Sequence, residues 1–97
     1  MDTTAIHDLA ARVRHTAALL REEADALGRR VEAVPWQGRA AEAMRVAVGL
    51  QVGDLARASL RHDDAAEALE AHAVRVAETA ALLPALGGIG ALAMDVL

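Results

Sequence analysis

The sequence predicts an all-α protein, an antiparallel two-helix hairpin that pairs with a second hairpin into a dimeric four-helix bundle. Apolar residues recur at alternating steps of three and four in both halves of the chain, which is the spacing of helices packed along a seam. One short break at residues 35–38 separates the two halves and favours an antiparallel hairpin. Alanine supplies much of the 55% hydrophobic fraction of the 97 residues. Because a chain of this size has a marginal core, the sequence indicates a partner.

The first helix is predicted over residues 4–34. Thr3 or Thr4 is its candidate N-cap, and Pro35 ends it because the residue before a proline is pushed out of the α conformation. The apolar positions of this helix form one seam. They are Ile6, Leu9 or Ala10, Val13, Ala17, Leu20, Ala24, Leu27, Val31 and Val34.

The second helix is predicted over residues 39–83, ending before Pro84. This helix is about 65 Å long, whereas the first helix is about 45 Å long. The last turns of the second helix, from about His72, therefore project beyond the end of the first helix. If the turn is centred near Trp36, the residue numbers of two positions that face each other across the hairpin add up to about 73. Its predicted seam is Ala41, Met44, Val48, Gln51, Leu55, Ala58, His62, Ala65, Leu69, His72, Val76, Ala80 and Leu83. A second apolar row beside this seam predicts the partner interface, formed by Val46, Leu50, Gly53 and Leu60.

The break between the helices holds Trp36, the only aromatic residue of the chain. Pro35 stops the first helix, and Gly38 permits a backbone conformation or a close approach that a Cβ would block. We expect the indole to pack into the groove at the closed end of the hairpin and to bury about 200 Å². A solvent-facing Trp36 that serves as a ligand or a membrane anchor is the alternative.

Residues 1–83 are thus predicted as the hairpin and residues 84–97 as an apolar tail. The segment 79–94 has no charged residue but contains Pro84 and three glycines, so it is too short and too broken for a standard membrane-spanning helix. Three interpretations stay open. The tail folds back onto the hairpin or its partner, it is a flexible tail or the stub of a longer effector, or it contacts a membrane.

Other chemistry is thinly represented in the sequence. The run from His62 to Glu67 offers metal-ligand residue types, but a solvated acidic face with a buried His62 explains it better, so no metal and no cofactor is expected. Ser59 is the only serine and has no supporting motif, which disfavours an enzyme. A net charge of −4 shows no basic face for nucleic acid. Gly49 and Gly53 spell GxxxG, which in this charged helix favours close packing against the first helix or a partner over a membrane role.

The chain resembles the WXG family of small type VII (ESX-type) secretion proteins, the early secreted antigenic target-like group of actinobacteria and related Gram-positive bacteria. The match is Trp36-Gln37-Gly38 followed by Arg39-Ala40-Ala41 and Met44, between two heptad helices in a chain of about this length. The resemblance implies a helical hairpin that forms a homodimer or a heterodimer with another WXG-type protein. It also implies export through a type VII system, to the medium or the cell surface, and contact with a secretion ATPase. The N-terminus lacks the features of a signal peptide, so the protein is otherwise expected in the cytoplasm.

The chain departs from the family in its export signal, which is a tyrosine followed four residues later by Asp or Glu after the second helix. This chain has no tyrosine and places Val74 four residues before Glu78. Either a partner supplies the signal or the protein has another role. The function predicted is therefore a dimeric export substrate or a secretion partner of a larger effector. The alternative is a membrane-active or pore-associated helical protein that uses its apolar tail.

Replacement of Trp36 tests the predicted packing at the closed end. If the ring is buried, Trp36→Ala lowers the free energy of unfolding by about 3–5 kcal/mol, and the tryptophan of the unmodified protein fluoresces in the blue. Fluorescence and thermal melting measure both quantities. A red, water-like emission together with an unchanged melt would show that the ring does not pack.

Overall fold

The structure of the chain, a computed structural model, describes residues 2–35 and 37–96, with side chains described as far as Pro84. The described residues form two α-helices, α1 (Thr4–Ala33) and α2 (Arg39–Val96), and contain no strand. The two helices pack along each other, so the predicted all-α helical hairpin is confirmed. The molecule is a rod of 84 × 20 × 12 Å.

The start of α1 is capped by Asp2. Its Oδ1 accepts hydrogen bonds from the hydroxyl of Thr4 and from the backbone N–H of Thr4, the latter at 2.9 Å. These two hydrogen bonds, the hydroxyl's first, hold the pKa of the Asp2 carboxyl below its ordinary value. Thr3 occupies the N-cap position, but its side chain makes no capping bond. The predicted N-cap position of Thr3 is therefore confirmed, while Asp2, one residue earlier, supplies the capping carboxylate at the positive end of the helix.

Between the helices the backbone follows the expected chemistry of proline and glycine. Val34 is extended, with φ −81° and ψ 126°, as the following Pro35 requires, so α1 ends one residue before the predicted boundary. Gly38 has φ +92°, a left-handed conformation that side chains with a Cβ rarely adopt. Beyond its chain neighbours, no atom of the described residues lies within 4 Å of a Cβ built on Gly38, so the positive φ is the observed reason for a glycine here. Trp36 and its predicted packing lie outside the described residues.

Small side chains form the seam where α1 meets α2. The buried residues of α1 are Ala10, Ala17 and Ala24, and those of α2 are Ala41, Ser59, Ala66 and Ala73. The Ser59 hydroxyl donates a hydrogen bond of 3.0 Å to the Ala17 carbonyl oxygen. A side chain as short as serine reaches the backbone of the facing helix only when the two helices lie very close together. The steps of seven between Ala10, Ala17 and Ala24, and between Ser59, Ala66 and Ala73, repeat this close contact along the hairpin.

Five alternate positions of the predicted α2 seam are displaced by one residue. The structure buries or half-buries Arg45, Val52, Ser59, Ala66 and Ala73. The predicted seam has Met44, Gln51, Ala58, Ala65 and His72 at these points. Two adjacent lines fit steps of three and four equally well, and the polar residues Arg45 and Ser59 disfavoured the line that the structure uses. The residues at positions 59, 66 and 73 are small and permit the close approach of the two helices, so the structure uses the line that contains them.

The register of the hairpin also differs from the predicted one. Ala17 lies beside Ser59, a pair whose residue numbers sum to 76, and the longer side chains of Arg21 and Asp63 form a pair that sums to 84. Both sums exceed the expected value of about 73. The extended Val34 accounts for the direction of the shift, since an extended residue rises about 3.3 Å and a helical one about 1.5 Å.

α2 continues through Pro84 to Val96, whereas the predicted end is Leu83. A proline inside a helix removes one backbone hydrogen bond and crowds the preceding turn, at about 3 kcal/mol. The alanines and leucines on both sides of Pro84 favour helix, whereas Gly87, Gly88 and Gly90 oppose it. The segment predicted as a separate tail thus belongs, as far as Val96, to the same helix.

Two glycines give opposite predictions for replacement by alanine. Gly38→Ala forces a Cβ into the left-handed region, so we expect it to lower the free energy of unfolding by about 1–2 kcal/mol. Gly28 lies inside α1, and no atom lies within 4 Å of a Cβ built on it. Gly28→Ala is therefore the matched control and raises that free energy by about 0.5–1 kcal/mol. Urea unfolding measures both. A Gly38→Ala variant as stable as the unmodified chain would contradict the conformational role of Gly38.

Candidate interaction surface

Large apolar side chains remain on the outside of the hairpin. Of the row predicted as the partner interface, Val46, Leu50 and Leu60 are 64%, 65% and 62% exposed. They lie on α2 away from the alanine seam, so α1 does not cover them. Burial of a Val or Leu side chain is worth about 1.5–3 kcal/mol. This row is therefore the part of the surface with most to gain from a partner.

Gly53 is a different kind of position from the other three in the row. A Cβ built on it would lie 3.4 Å from the guanidinium of Arg57, which is paired with Asp54. The Arg57 side chain thus lies across Gly53 and divides the row into Val46 and Leu50 on one side and Leu60 on the other. Its long apolar stem can still contribute to a contact while its charge stays in water.

A further set of large apolar residues is missing from the predicted interface, because the sequence assigns all of it to the hairpin seam. These side chains are only half-buried, and they recur at steps of seven or fourteen beside the small residues of the seam. They are Ile6, Val13, Leu20 and Leu27 on α1, and Val48, Leu55, Leu69 and Val76 on α2. The signal that could have identified them is the alternation of small and large residues along each seam, because small residues draw the helices together and leave the large ones at the margin.

An open apolar groove of about 280 Å³ lies between the helices near the closed end of the hairpin. It is lined by Gly28, Val31, Glu32, Arg45, Val48, Gly49 and Val52. Among the described residues, no atom lies within 4 Å of a Cβ built on Gly28 or Gly49, and only Arg57 of the same helix lies that near one built on Gly53. The described part of α1 thus makes no close approach at Gly49 or Gly53, which does not support the predicted packing of the GxxxG sequence against α1. Packing of these glycines against a partner stays a prediction.

A polar network that the sequence did not reveal crosses the seam at its middle. Arg21 Nη1 donates to Ser59 Oγ at 3.0 Å and to Asp63 Oδ2 at 2.6 Å, while Ser59 donates to the Ala17 carbonyl. The only serine of the chain thus has its hydroxyl hydrogen-bonded to two groups of α1. These bonds favour one register, since a shift of one heptad would leave the Ser59 hydroxyl without these partners.

Arg14 and Glu70 form a second link between the helices. Arg14 Nε donates to Glu70 Oε1 at 3.0 Å and Arg14 Nη2 donates to Oε2 at 2.8 Å, a bidentate geometry that adds orientation. The hydrogen bond raises the pKa of Arg14 and, from Arg14, lowers the pKa of the Glu70 carboxyl. Both side chains are exposed, so the pair contributes little stability. Its residue numbers sum to 84, as do those of Arg21 and Asp63, so both ion pairs join the two helices with the same offset.

The other predicted positions are distributed along α2. Val74 and Glu78, the degenerate export signal, are both exposed on α2. His62 is half-buried, and its Nδ1 lies 2.7 Å from the Ala58 carbonyl oxygen, so it points along its own helix. The described part of the chain contains no group of three or more His, Cys, Asp or Glu residues placed to hold a metal ion. Within the same part, neither helix has a stretch with the length and apolar character needed to cross a membrane.

The fold and surface together define a class, a two-helix hairpin with a small-residue seam and large apolar side chains directed outward. Exposed apolar side chains of this kind favour burial against another apolar surface. Comparison of the chain with protein-family models, with curated proteins and with solved structures gave no match. The assignment of function therefore rests on the chain's own residues and on the WXG resemblance.

Proposed function

We propose that this chain is a non-enzymatic, WXG-type secretion-associated protein that works as one half of a dimer. It is exported as that dimer or accompanies a larger effector as its secretion partner. The hairpin fold supports the proposal, as does the position of Trp36-Gln37-Gly38 between the two helices. The partner is a second copy or another WXG-type hairpin, and the product of the pairing is a four-helix bundle.

The observation that carries the proposal is the imbalance between what the hairpin buries and what it exposes. Apart from Ser59, the buried residues among those whose side chains the structure describes are alanines, and a buried methyl group contributes about 0.8 kcal/mol. Val46, Leu50 and Leu60 stay exposed, while a further eight large residues are only half-buried. A second hairpin laid on these residues supplies the burial that the first cannot supply to itself.

Association and its site are tested by a pair of neighbouring substitutions. The unmodified chain should sediment as a dimer at micromolar concentration, alone or with a WXG-type partner. Leu50→Glu places a charge on the row and removes the burial of one leucine, so it should weaken association about 10-fold to 100-fold. Gln51→Glu, one residue along on an exposed position outside the row, is the matched control and should leave association unchanged.

Analytical ultracentrifugation over a concentration series measures these constants. Circular dichroism shows that each variant keeps its helices. A well-folded monomer for which no partner hairpin is found would contradict the dimeric function. Equal constants for Leu50→Glu and the unmodified chain would place the interface elsewhere.

Export is proposed to depend on a partner that carries the signal. Val74 is exposed four residues before Glu78 and offers an apolar group without the ring and hydroxyl of tyrosine. That difference is worth about 1–3 kcal/mol in an apolar pocket of the secretion ATPase, which weakens a marginal contact by about tenfold or more. Deletion of the partner should therefore keep this protein inside the cell.

Val74→Tyr supplies the missing group at the required spacing and should restore partner-independent export. Ala77→Tyr is the matched control, because it adds a tyrosine at an exposed position without the spacing, and it should not restore export. Immunoblots of medium and cell fractions measure the outcome. Export of the unmodified protein from a strain that lacks every WXG-type partner would contradict the proposal.

A further inference from the structure

The exposed row of α2 is part of a longer line of positions on the same side of the helix. These positions recur at alternating steps of three and four, the spacing of a helix packed along one partner helix. They lie away from the alanine seam, and all are exposed except Gly53, which is half-buried beside the Arg57 side chain. We name this line the stripe. It consists of Arg39, Ala43, Val46, Leu50, Gly53, Arg57, Leu60 and Asp64.

The stripe is complementary to its own reverse. When it is set antiparallel to itself, opposite charges meet at both ends, and leucines meet small residues between them. The facing pairs are Arg39 with Asp64, Ala43 with Leu60, Val46 with Arg57, and Leu50 with Gly53. The residue numbers of every pair sum to 103, so a single antiparallel register forms all four pairs at once. A twofold axis between two copies repeats each pair.

The centre of the stripe offers space for a large side chain. Gly53 has no side chain, so Leu50 of a second copy can pack against the helix backbone there, a large residue against a small one. The guanidinium of Arg57 lies 3.4 Å from a Cβ built on Gly53 and is paired with Asp54. This exposed ion pair contributes little stability. Arg57 can therefore turn aside, and its apolar stem then packs on Val46 of the second copy.

We propose that the stripe of α2 binds the stripe of a second copy of this chain, antiparallel to it, with position 50 of one copy opposite position 53 of the other. This homodimer is one form of the dimer in the proposed function, on which the inference rests. The occupant is a second copy because size and charge match along the whole stripe in one register. A twofold contact requires such a self-complementary patch.

Other pairings of two stripes bring like charges together or place a charge on an apolar group. In a parallel pair, Arg39, Arg57 and Asp64 would each face the same residue of the other copy. An antiparallel shift of seven residues in one direction sets Arg39 against Arg57, and the opposite shift sets Asp64 against Val46. Like charges repel, and a carboxylate loses hydration against an apolar group without gaining a partner. The charges of the stripe therefore favour one orientation and one register.

Two carboxylates beside the stripe are compatible with this register. Glu42 of one copy and Asp63 of the other lie along the same edge of the proposed contact. Each is paired with an arginine of its own chain, Glu42 with Arg45 and Asp63 with Arg21. Their repulsion is weak, because each carboxylate has a cation beside it and both lie at the solvent-exposed edge.

Introduced cysteines test orientation and register, since the chain has no cysteine of its own. Val46→Cys and Arg57→Cys in one chain face each other between copies in the proposed register, but lie about 16 Å apart along one helix. A bis-maleimide cross-linker with a reach shorter than this separation should convert the double variant into a covalent dimer. Val46→Cys alone and Arg57→Cys alone are the matched controls. Each places its two thiols about 16 Å apart along the contact, so each should stay monomeric on a denaturing gel.

A charge reversal at the ends of the stripe tests the same register without a cross-linker. Asp64→Arg sets two arginines against each other at both ends of the contact, so it should weaken association of the full chain about 3-fold to 10-fold. Arg39→Asp combined with Asp64→Arg restores opposite charges and should restore the association constant. Analytical ultracentrifugation measures the constants, and circular dichroism checks that all variants remain helical.

The outcomes separate this proposal from the proposed function. Cross-linking of either single-cysteine variant would indicate a parallel or shifted pairing and would overturn the proposal. So would a double-cysteine variant that sediments as a dimer but does not cross-link, although the dimer of the proposed function would stand. Association with a different WXG-type hairpin but not with a second copy would have the same two consequences. A chain that associates with no hairpin at all would contradict both.

Discussion

The structure depends on the close approach of α1 and α2 at a seam of small side chains. The hydrogen bond from Ser59 to the backbone carbonyl of Ala17 is possible only at short range, and alanines at steps of seven allow that range along the hairpin. The contact is specific because Arg21 joins it from the side. A larger residue on this line would push the helices apart, and a shift of register would leave the serine hydroxyl without these partners.

The same constraint determines what the hairpin leaves exposed. Helices that meet through alanine bury little apolar area per residue, and their large side chains lie at the margin of the seam or outside it. The exposed row of α2 and the half-buried residues beside the seam both follow from the packing of the two helices through alanine. Association and folding are therefore expected to be coupled, because the apolar side chains that one hairpin leaves exposed can be buried between two chains.

The helices themselves were predictable from sequence, because periodicity, Pro35 and Gly38 are local signals. The bounds of α1 and the start of α2 differ from expectation by at most one residue. The details of packing were not predictable in the same way. Ser59 and Arg45 are polar residues that seam patterns disfavour, yet the serine is small enough to lie in the seam, and the register depended on the path of the connection. Pro84 is a strong local signal to stop a helix, yet α2 continues through it.

The dependence of the melting temperature on protein concentration tests most directly whether the alanine seam needs a partner. If folding is coupled to association, a tenfold rise in concentration raises the melting temperature by about 3 °C for a dimer of this size. The measurement requires only the unmodified chain, or the chain with an equimolar partner hairpin, over two or three decades of concentration. A melting temperature that is high and independent of concentration would show that one hairpin is stable alone, and would contradict the account.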